Sequence, residues 1–142
     1  MSESLFLHIK NDILEIKRMG DEVAGWCHEQ ALSEDTECQL DLVLDEMVSN
    51  VIRHGIRDCG PHIIEVNLHR NGQELTMEIE DDGVPFNPLI DAPVPDTTKP
   101  VEERRIGGLG VYLVRQFMDS LVYERREGKN YLRMGKRLEE TP

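Results

Sequence analysis

The stretch IEVNLHRNGQELTMEIEDDG, residues 64–83, sets the predicted fold. Apolar and polar residues alternate along residues 64–68 and again along 75–79, which is the period of a strand with one buried face. Asn71-Gly72 between them is typical of a tight hairpin turn. The same period of two places Asp81 next in the inward-facing row. The sequence therefore predicts an antiparallel hairpin that ends in an inward-facing carboxylate.

A short strand and two helices are predicted before this hairpin. Apolar residues alternate with polar ones over residues 5–9, and a helical period then runs from Asn11 to Leu32. Ser33 can cap a second helix, which we expect to end at Gly55.

A long loop, a third helix and a second hairpin are predicted after it. Residues 84–106 carry most of the prolines, so we expect an extended loop there. The glycine-rich run 107–110 opens the third helix, and strands over 121–126 and 131–137 are expected to meet at a turn over 128–130. This order predicts an α+β fold, a two-layer sandwich with a mixed, mostly antiparallel sheet and helices on one face, as a single domain over the whole chain.

Composition narrows the class of protein. The chain has 142 residues, a formal net charge of -12 and 39% hydrophobic residues. The negative charge disfavours direct nucleic-acid binding, and no apolar run approaches the roughly 20 residues of a membrane span. The N-terminus lacks the features of a secretion signal, so we expect a cytoplasmic protein. Cys27, Cys38 and Cys59 form no metal or redox pattern, and we expect them to be reduced, structural thiols.

Glu46 and Asn50 are candidate catalytic and metal-binding residues. They lie four positions apart in the second predicted helix, so they share one face at the edge of its apolar stripe. A carboxylate there can take a proton from a nucleophile, and an amide oxygen one turn later can coordinate magnesium, which accepts few protein ligands. In isolation the pair is more simply read as two exposed helix residues, but the companion motifs favour the functional interpretation.

Two further segments suggest a nucleotide site. A buried Asp81 needs a partner, which the amino group of a purine would supply, and Gly83 lets a ring approach the backbone. The alternative for that segment is an ordinary turn. The glycines of residues 107–110 leave backbone amides open to phosphate at a helix start, although close packing also selects glycine. Arg104 and Arg105 either reach a terminal phosphate or balance charge.

Taken together, these segments resemble the GHKL ATPases, the superfamily of gyrase, heat-shock chaperone, histidine kinase and mismatch-repair ATPases. The resemblance rests on an asparagine box, Glu46 to Asn50 with Arg53-His54-Gly55, on a first glycine box, Asp81-x-Gly83 with Phe86-Asn87-Pro88, and on a second, Gly107 to Val114. The short chain, the Phe of the first box and the Arg-Gln-Phe-Met-Asp end of the third helix are most similar to bacterial anti-sigma-factor serine/threonine kinases. Pro85 departs from the second glycine found in many members.

The resemblance implies a Bergerat ATP-binding fold, with ATP and Mg²⁺ as cofactors. It implies a protein kinase that phosphorylates a serine or threonine of an anti-anti-sigma, STAS-domain partner and sequesters a sigma factor; a homodimer is also expected of such proteins. By this resemblance, Glu46 is the base, Asn50 is the magnesium ligand, and residues 84–106 are the ATP lid. The implied nucleotide-binding residues are Asn50, Arg53, His54, Asp81, Gly83, Phe86, Arg105, Gly107, Gly108, Leu109 and Gly110.

Three alternatives stay open at this point. The chain could be a nucleotide-gated binding module that does not phosphorylate its partner, or a plain ATPase in which the base activates water. It could also be the catalytic half of a histidine kinase. That last reading requires a phospho-acceptor helix pair, and with only about ten residues before the first predicted helix we expect it to fail unless that pair belongs to a separate chain.

Overall fold

The computed structural model describes residues 3–56, 60–88 and 108–138. The elements, in chain order, are β1 (Ser4–Lys10), α1 (Glu15–Glu29), α2 (Glu34–Asn50), a π-helical turn (Val51–Gly55), β2 (Ile63–Asn71), β3 (Glu74–Asp81), α3 (Gly108–Phe117), β4 (Ser120–Arg126) and β5 (Lys129–Arg137). The predicted order of one strand, two helices, a hairpin, a helix and a final hairpin is confirmed.

The five strands form one sheet in the order β1-β2-β3-β5-β4. All four neighbouring pairs are antiparallel, so the described sheet contains no parallel pair. The predicted β2–β3 hairpin turns at Asn71-Gly72, where Gly72 has a φ of 63° that favours glycine. Its register sets Val66 opposite Ile79, so the inward-facing rows of the two strands coincide.

One face of the sheet packs against the helices. The inward row of each central strand is buried together with apolar side chains from all three helices, in one core. On the opposite face, polar side chains such as Glu65, Asn67 and Glu78 are partly exposed. The α+β, two-layer prediction is confirmed, because the hydrophobic stripe of each helix covers the same face of the sheet.

The first helix begins later than predicted. It starts at Glu15 rather than at Asn11 and ends at Glu29 rather than Leu32. The Asn11 side chain donates to the Gly60 carbonyl at 3.1 Å and accepts from the His62 amide at 3.0 Å. Because these bonds tie Asn11 to the segment that leads into β2, that residue is held outside the helix.

The second helical stretch begins and ends where predicted, but its last turn is π-helical. Ser33 caps it, and its hydroxyl accepts from the Thr36 amide at 3.1 Å. The α-helix ends at Asn50, and a π-helical turn continues to Gly55, where the helical stretch was expected to stop. Single π-helical turns of this kind often occur at functional sites.

The turn of the last hairpin begins one residue earlier than predicted and is shorter by one residue. Its turn residues are Glu127 and Gly128, which have positive φ angles of 51° and 76°. Lys129 and Asn130 therefore belong to β5 and not to the turn. Asn130 thereby becomes a strand residue directly opposite Asp81 of β3.

Some predictions lie outside the described residues. They are residues 89–106 of the loop expected over 84–106, the roles of Arg104, Arg105 and Gly107, and the state of Cys59. Cys27 and Cys38 are free thiols, and burial raises the pKa of Cys27 to about 12, which suits a structural role. Among the described helices, none is both long and apolar enough to cross a bilayer.

Candidate functional site

Asp81 is a buried carboxylate at the end of β3, only 4% exposed. Its Oδ1 accepts from the backbone amide of Gly83 at 2.9 Å and from the side-chain amide of Asn130 at 3.0 Å. Burial raises the pKa of the Asp81 carboxyl, and these two hydrogen bonds oppose the rise. The inward position follows from strand periodicity. Its burial alone does not demand a purine, because the protein already provides two donors to one oxygen.

Gly83 is a point of close backbone approach. A Cβ built on it would lie 2.8 Å from the carbonyl carbon of Gly55, and the neighbouring Val84 amide donates to the Gly55 oxygen at 2.8 Å. From the other side, Arg125 of β4 donates to the Gly83 carbonyl at 2.7 Å. Glycine is thus required here by the contact with the π-helical turn, whether or not a ring also lies against this backbone.

Asn130 joins Asp81 to the segment that follows it. Its Nδ2 donates to Asp81 Oδ1 and, at 2.8 Å, to the Val84 carbonyl. Its Oδ1 accepts from the Phe86 amide at 3.2 Å and from the Tyr123 hydroxyl. Neither Asn130 nor Tyr123 was among the residues predicted from sequence.

A sequence signal for Asn130 did exist. Leu132 and Met134 are inward-facing residues of β5, and a period of two carries the same row back to Asn130. Assigning Asn130 to the turn hid this signal. The rule that identified Asp81 on β3 would have identified its partner on β5.

Glu46 is a partly buried carboxylate on α2. Burial raises its pKa above the ordinary value, the neighbouring charge of Asp45 adds to the rise, and Arg53 opposes it. A raised pKa makes a carboxylate a stronger proton acceptor, which suits a general base. The predicted base therefore has an environment that suits the role.

Asn50, the last residue of α2, is 2% exposed. Within the described part of the chain, its Nδ2 is the only buried side-chain nitrogen or oxygen that lacks a hydrogen-bond partner. Such an orphaned amide is costly unless something outside the protein satisfies it. The unsatisfied NH₂ group needs an acceptor, such as a phosphate oxygen, and the oxygen of the same amide is a kind of ligand that Mg²⁺ takes.

The π-helical turn brings the asparagine box against the first glycine box. Arg53 and His54 of the turn are exposed, and the His54 ring lies 5.8 Å from the Phe86 ring, centroid to centroid, at 30°. A cavity of about 540 Å³ borders this junction and is lined by residues that include Gly55, Gly83 and Arg125. Two of the three predicted segments therefore meet directly in space.

The third segment is joined to α2 through the core. As predicted, a helix begins in the glycine run, and Gly108, Leu109 and Gly110 are its first three residues. Further along, Val114 of α3 and Met118, the residue after its end, are buried in the same cluster as the apolar face of α2. The first turn of a helix carries free backbone amides and the positive end of its dipole, which together favour phosphate.

Comparison with known proteins places this geometry in a family. The family described as "Histidine kinase-like ATPase domain" matches residues 9–136. Serine/threonine-protein kinase BtrW of Bordetella bronchiseptica is 32% identical over 93 residues, which cover 66% of this chain and 65% of that protein. Serine-protein kinase RsbW of Bacillus cereus is 30% identical over 114 residues, covering 78% of this chain and 70% of RsbW. The chain thus spans about two thirds of the length of these relatives.

Solved structures show the same fold at lower identity. A blue-light activated histidine kinase of Erythrobacter litoralis superimposes with a TM-score of 0.59 at 16% identity, over 88% of this chain and 41% of that one. The histidine kinase AdeS of Acinetobacter baumannii gives 0.52 at 12% identity, over 96% of this chain and 68% of that one. The family match spans nearly the whole chain, so this protein belongs to the histidine kinase-like ATPase domain family of the GHKL superfamily.

Proposed function

We propose that this protein is an ATP-dependent serine/threonine protein kinase whose substrate is an anti-anti-sigma, STAS-domain protein. Membership of a kinase-like ATPase family supports the use of ATP. The relatives BtrW and RsbW are named as a serine/threonine-protein kinase and a serine-protein kinase, which supports a serine or threonine hydroxyl as the phosphate acceptor. We further propose that the protein sequesters a sigma factor, a role carried by the resemblance to anti-sigma kinases.

One observation carries the kinase proposal. Glu46 and Asn50 lie one helical turn apart, the first with a raised pKa and the second with a buried, unsatisfied amide. A base and an orphaned polar group on one face suit a site that binds a metal–phosphate ligand next to a hydroxyl nucleophile. Ordinary exposed helix residues would show neither feature.

Each residue has a distinct task in this proposal. Glu46 accepts the proton of the serine or threonine hydroxyl while the hydroxyl oxygen takes the terminal phosphoryl group of ATP. ADP is the leaving group. Asn50 would hold Mg²⁺, which neutralises phosphate charge when bound. Asp81 would accept a hydrogen bond from the amino group of adenine, and the first turn of α3 would face the phosphates.

The proposal is tested by following phosphate from ATP. Purified protein, ATP and Mg²⁺ are incubated with a candidate STAS-domain protein from the same genome, and phosphoserine or phosphothreonine on that partner is measured. Glu46→Gln should lower the transfer rate by about 10²- to 10⁴-fold, the contribution of a positioned base, while ATP binding is kept. Glu37→Gln, the same chemical change earlier on α2, is the matched control and should keep the wild-type rate.

Two results would contradict the proposal. Transfer by Glu46→Gln at the wild-type rate would show that another group takes the proton. Release of inorganic phosphate by the wild type, with no label on the partner, would make the protein an ATPase and not a protein kinase.

A further inference from the structure

The side-chain amide of Asn130 is a fully occupied junction in the core of the site. It is 4% exposed and lies on β5 in register with Asp81. It makes four hydrogen bonds, to Asp81, Val84, Phe86 and Tyr123. An asparagine amide has two N–H groups and one oxygen with two lone pairs, so its capacity is filled.

The surroundings determine which way this amide points. The Phe86 backbone amide can only donate, so the end of the side chain that it meets, which also contacts the Tyr123 hydroxyl, must be the oxygen. The other end, the NH₂ group, is then directed at Asp81 Oδ1 and at the Val84 carbonyl. Reversing the amide would set donor against donor at Phe86 and acceptor against acceptor at Asp81 and Val84.

This orientation decides which oxygen of Asp81 can meet a ligand. Oδ1 already takes two donors, the Gly83 amide and Asn130 Nδ2, and no described residue donates to Oδ2. Without Asn130, the carboxylate would keep one donor and could turn about its χ2 angle, which has a broad energy minimum. The same loss would release the Val84 carbonyl and the Phe86 amide together.

We propose that Asn130 is a positioning residue that aims the free oxygen of Asp81 at the 6-amino group of adenine and holds residues 84–86 beside it. This inference rests on the proposed binding of ATP. It assigns base selectivity to a residue on β5 that need not touch the nucleotide. The chemical class recognised is a purine with an exocyclic amino donor at position 6.

The test compares ATP with ITP, whose base carries an oxygen in place of that amino group. The dissociation constants of both nucleotides are measured for the wild type and for Asn130→Ala. Wild type should prefer ATP, because a carboxylate oxygen accepts from an amino group and repels a carbonyl. In Asn130→Ala the ratio of the two affinities should fall about tenfold, the value of one hydrogen bond to a charged group.

The affinity ratio separates positioning from a general loss of structure. Both nucleotides report on the same folded fraction, so partial unfolding lowers both affinities and leaves their ratio unchanged. Asn130→Leu, which keeps more side-chain volume, should show the same fall. Asn67→Ala, on the solvent face of β2, is the matched control and should keep the wild-type ratio.

The outcomes distinguish the inference from the proposed function. If wild type prefers ATP and both Asn130 variants keep that preference, the positioning role is refuted and ATP recognition stands. If wild type shows no preference for ATP over ITP, recognition of adenine by Asp81 fails, and the inference falls with it.

Discussion

Replacing Asp81 by asparagine should separate nucleotide binding from folding. The new side chain has the same shape, and its Oδ1 can still accept from the Gly83 amide and from Asn130. Its other end changes from a negatively charged acceptor into an NH₂ donor. The local structure should therefore survive, while the group that would meet the adenine amino group is inverted.

The loss of affinity follows from one hydrogen bond. A bond to a charged group contributes about 1.5–3 kcal/mol, which corresponds to a dissociation constant for ATP that rises about 10- to 100-fold. Asp82→Asn is the matched control, because the Asp82 side chain is 53% exposed and pairs with His62 at 2.7 Å. That variant should bind ATP within about twofold of wild type, because a partly solvent-exposed ion pair contributes little.

Asp81→Asn should weaken ATP binding, but it should not lower the free energy of unfolding at neutral pH. Burial raises the pKa of Asp81 in the folded state, so the folded chain holds its proton at pH values where the unfolded chain has lost it. The stability that Asp81 contributes is complete below its unfolded pKa and is lost as pH rises through the folded value. Asparagine carries no charge, so this variant should be at least as stable as wild type at neutral pH and should lack that part of the pH dependence.

Calorimetric titration with ATP and thermal unfolding over a range of pH check both expectations. Wild-type affinity in Asp81→Asn would refute the adenine role. A clear loss of stability at neutral pH, with a cooperative transition, would instead show that the charge itself supports the fold and that desolvation does not dominate.

Two further substitutions test the electrostatics and the packing of the site. Asp45→Asn removes a negative neighbour that helps raise the pKa of Glu46, so the acid limb of the pH–rate profile for phosphate transfer should move to lower pH. If that limb stays in place or moves to higher pH, Glu46 is excluded as the titrating base. Gly83→Ala sets a methyl group against the Gly55 carbonyl and should lower the free energy of unfolding, measured by denaturant titration, by about 1–3 kcal/mol. A loss near zero would show that the two segments are not in contact.

Much of the fold was predictable because its signals are local. Alternation over residues 64–68 and 75–79 identifies the two strands, and Asn71-Gly72 identifies the turn between them. The cap at Ser33 depends on a residue only three positions later. Where a feature depends on near neighbours in the chain, the residue pattern contains all the information that is needed.

The errors arose where distant segments meet. Asn11 looks like a helix start, but its side chain bonds to the Gly60 carbonyl and the His62 amide, and these contacts hold it outside the helix. Similarly, the close approach of Gly83 to the Gly55 carbonyl was not predicted, while its place beneath a ring stays a prediction. Neither contact can be inferred without knowing which segments become neighbours.

The amino-acid sequence by itself determined the kind of each element, the inward direction of Asp81, and the resemblance that names the superfamily. Only the tertiary structure decided what Asp81 touches, because Asn130 lies 49 residues further along the chain and meets it through the register of β3 with β5. A register is a property of two paired strands together. Side-chain periodicity in one strand indicates a face, and the partner across the sheet is specified only when the strands pair.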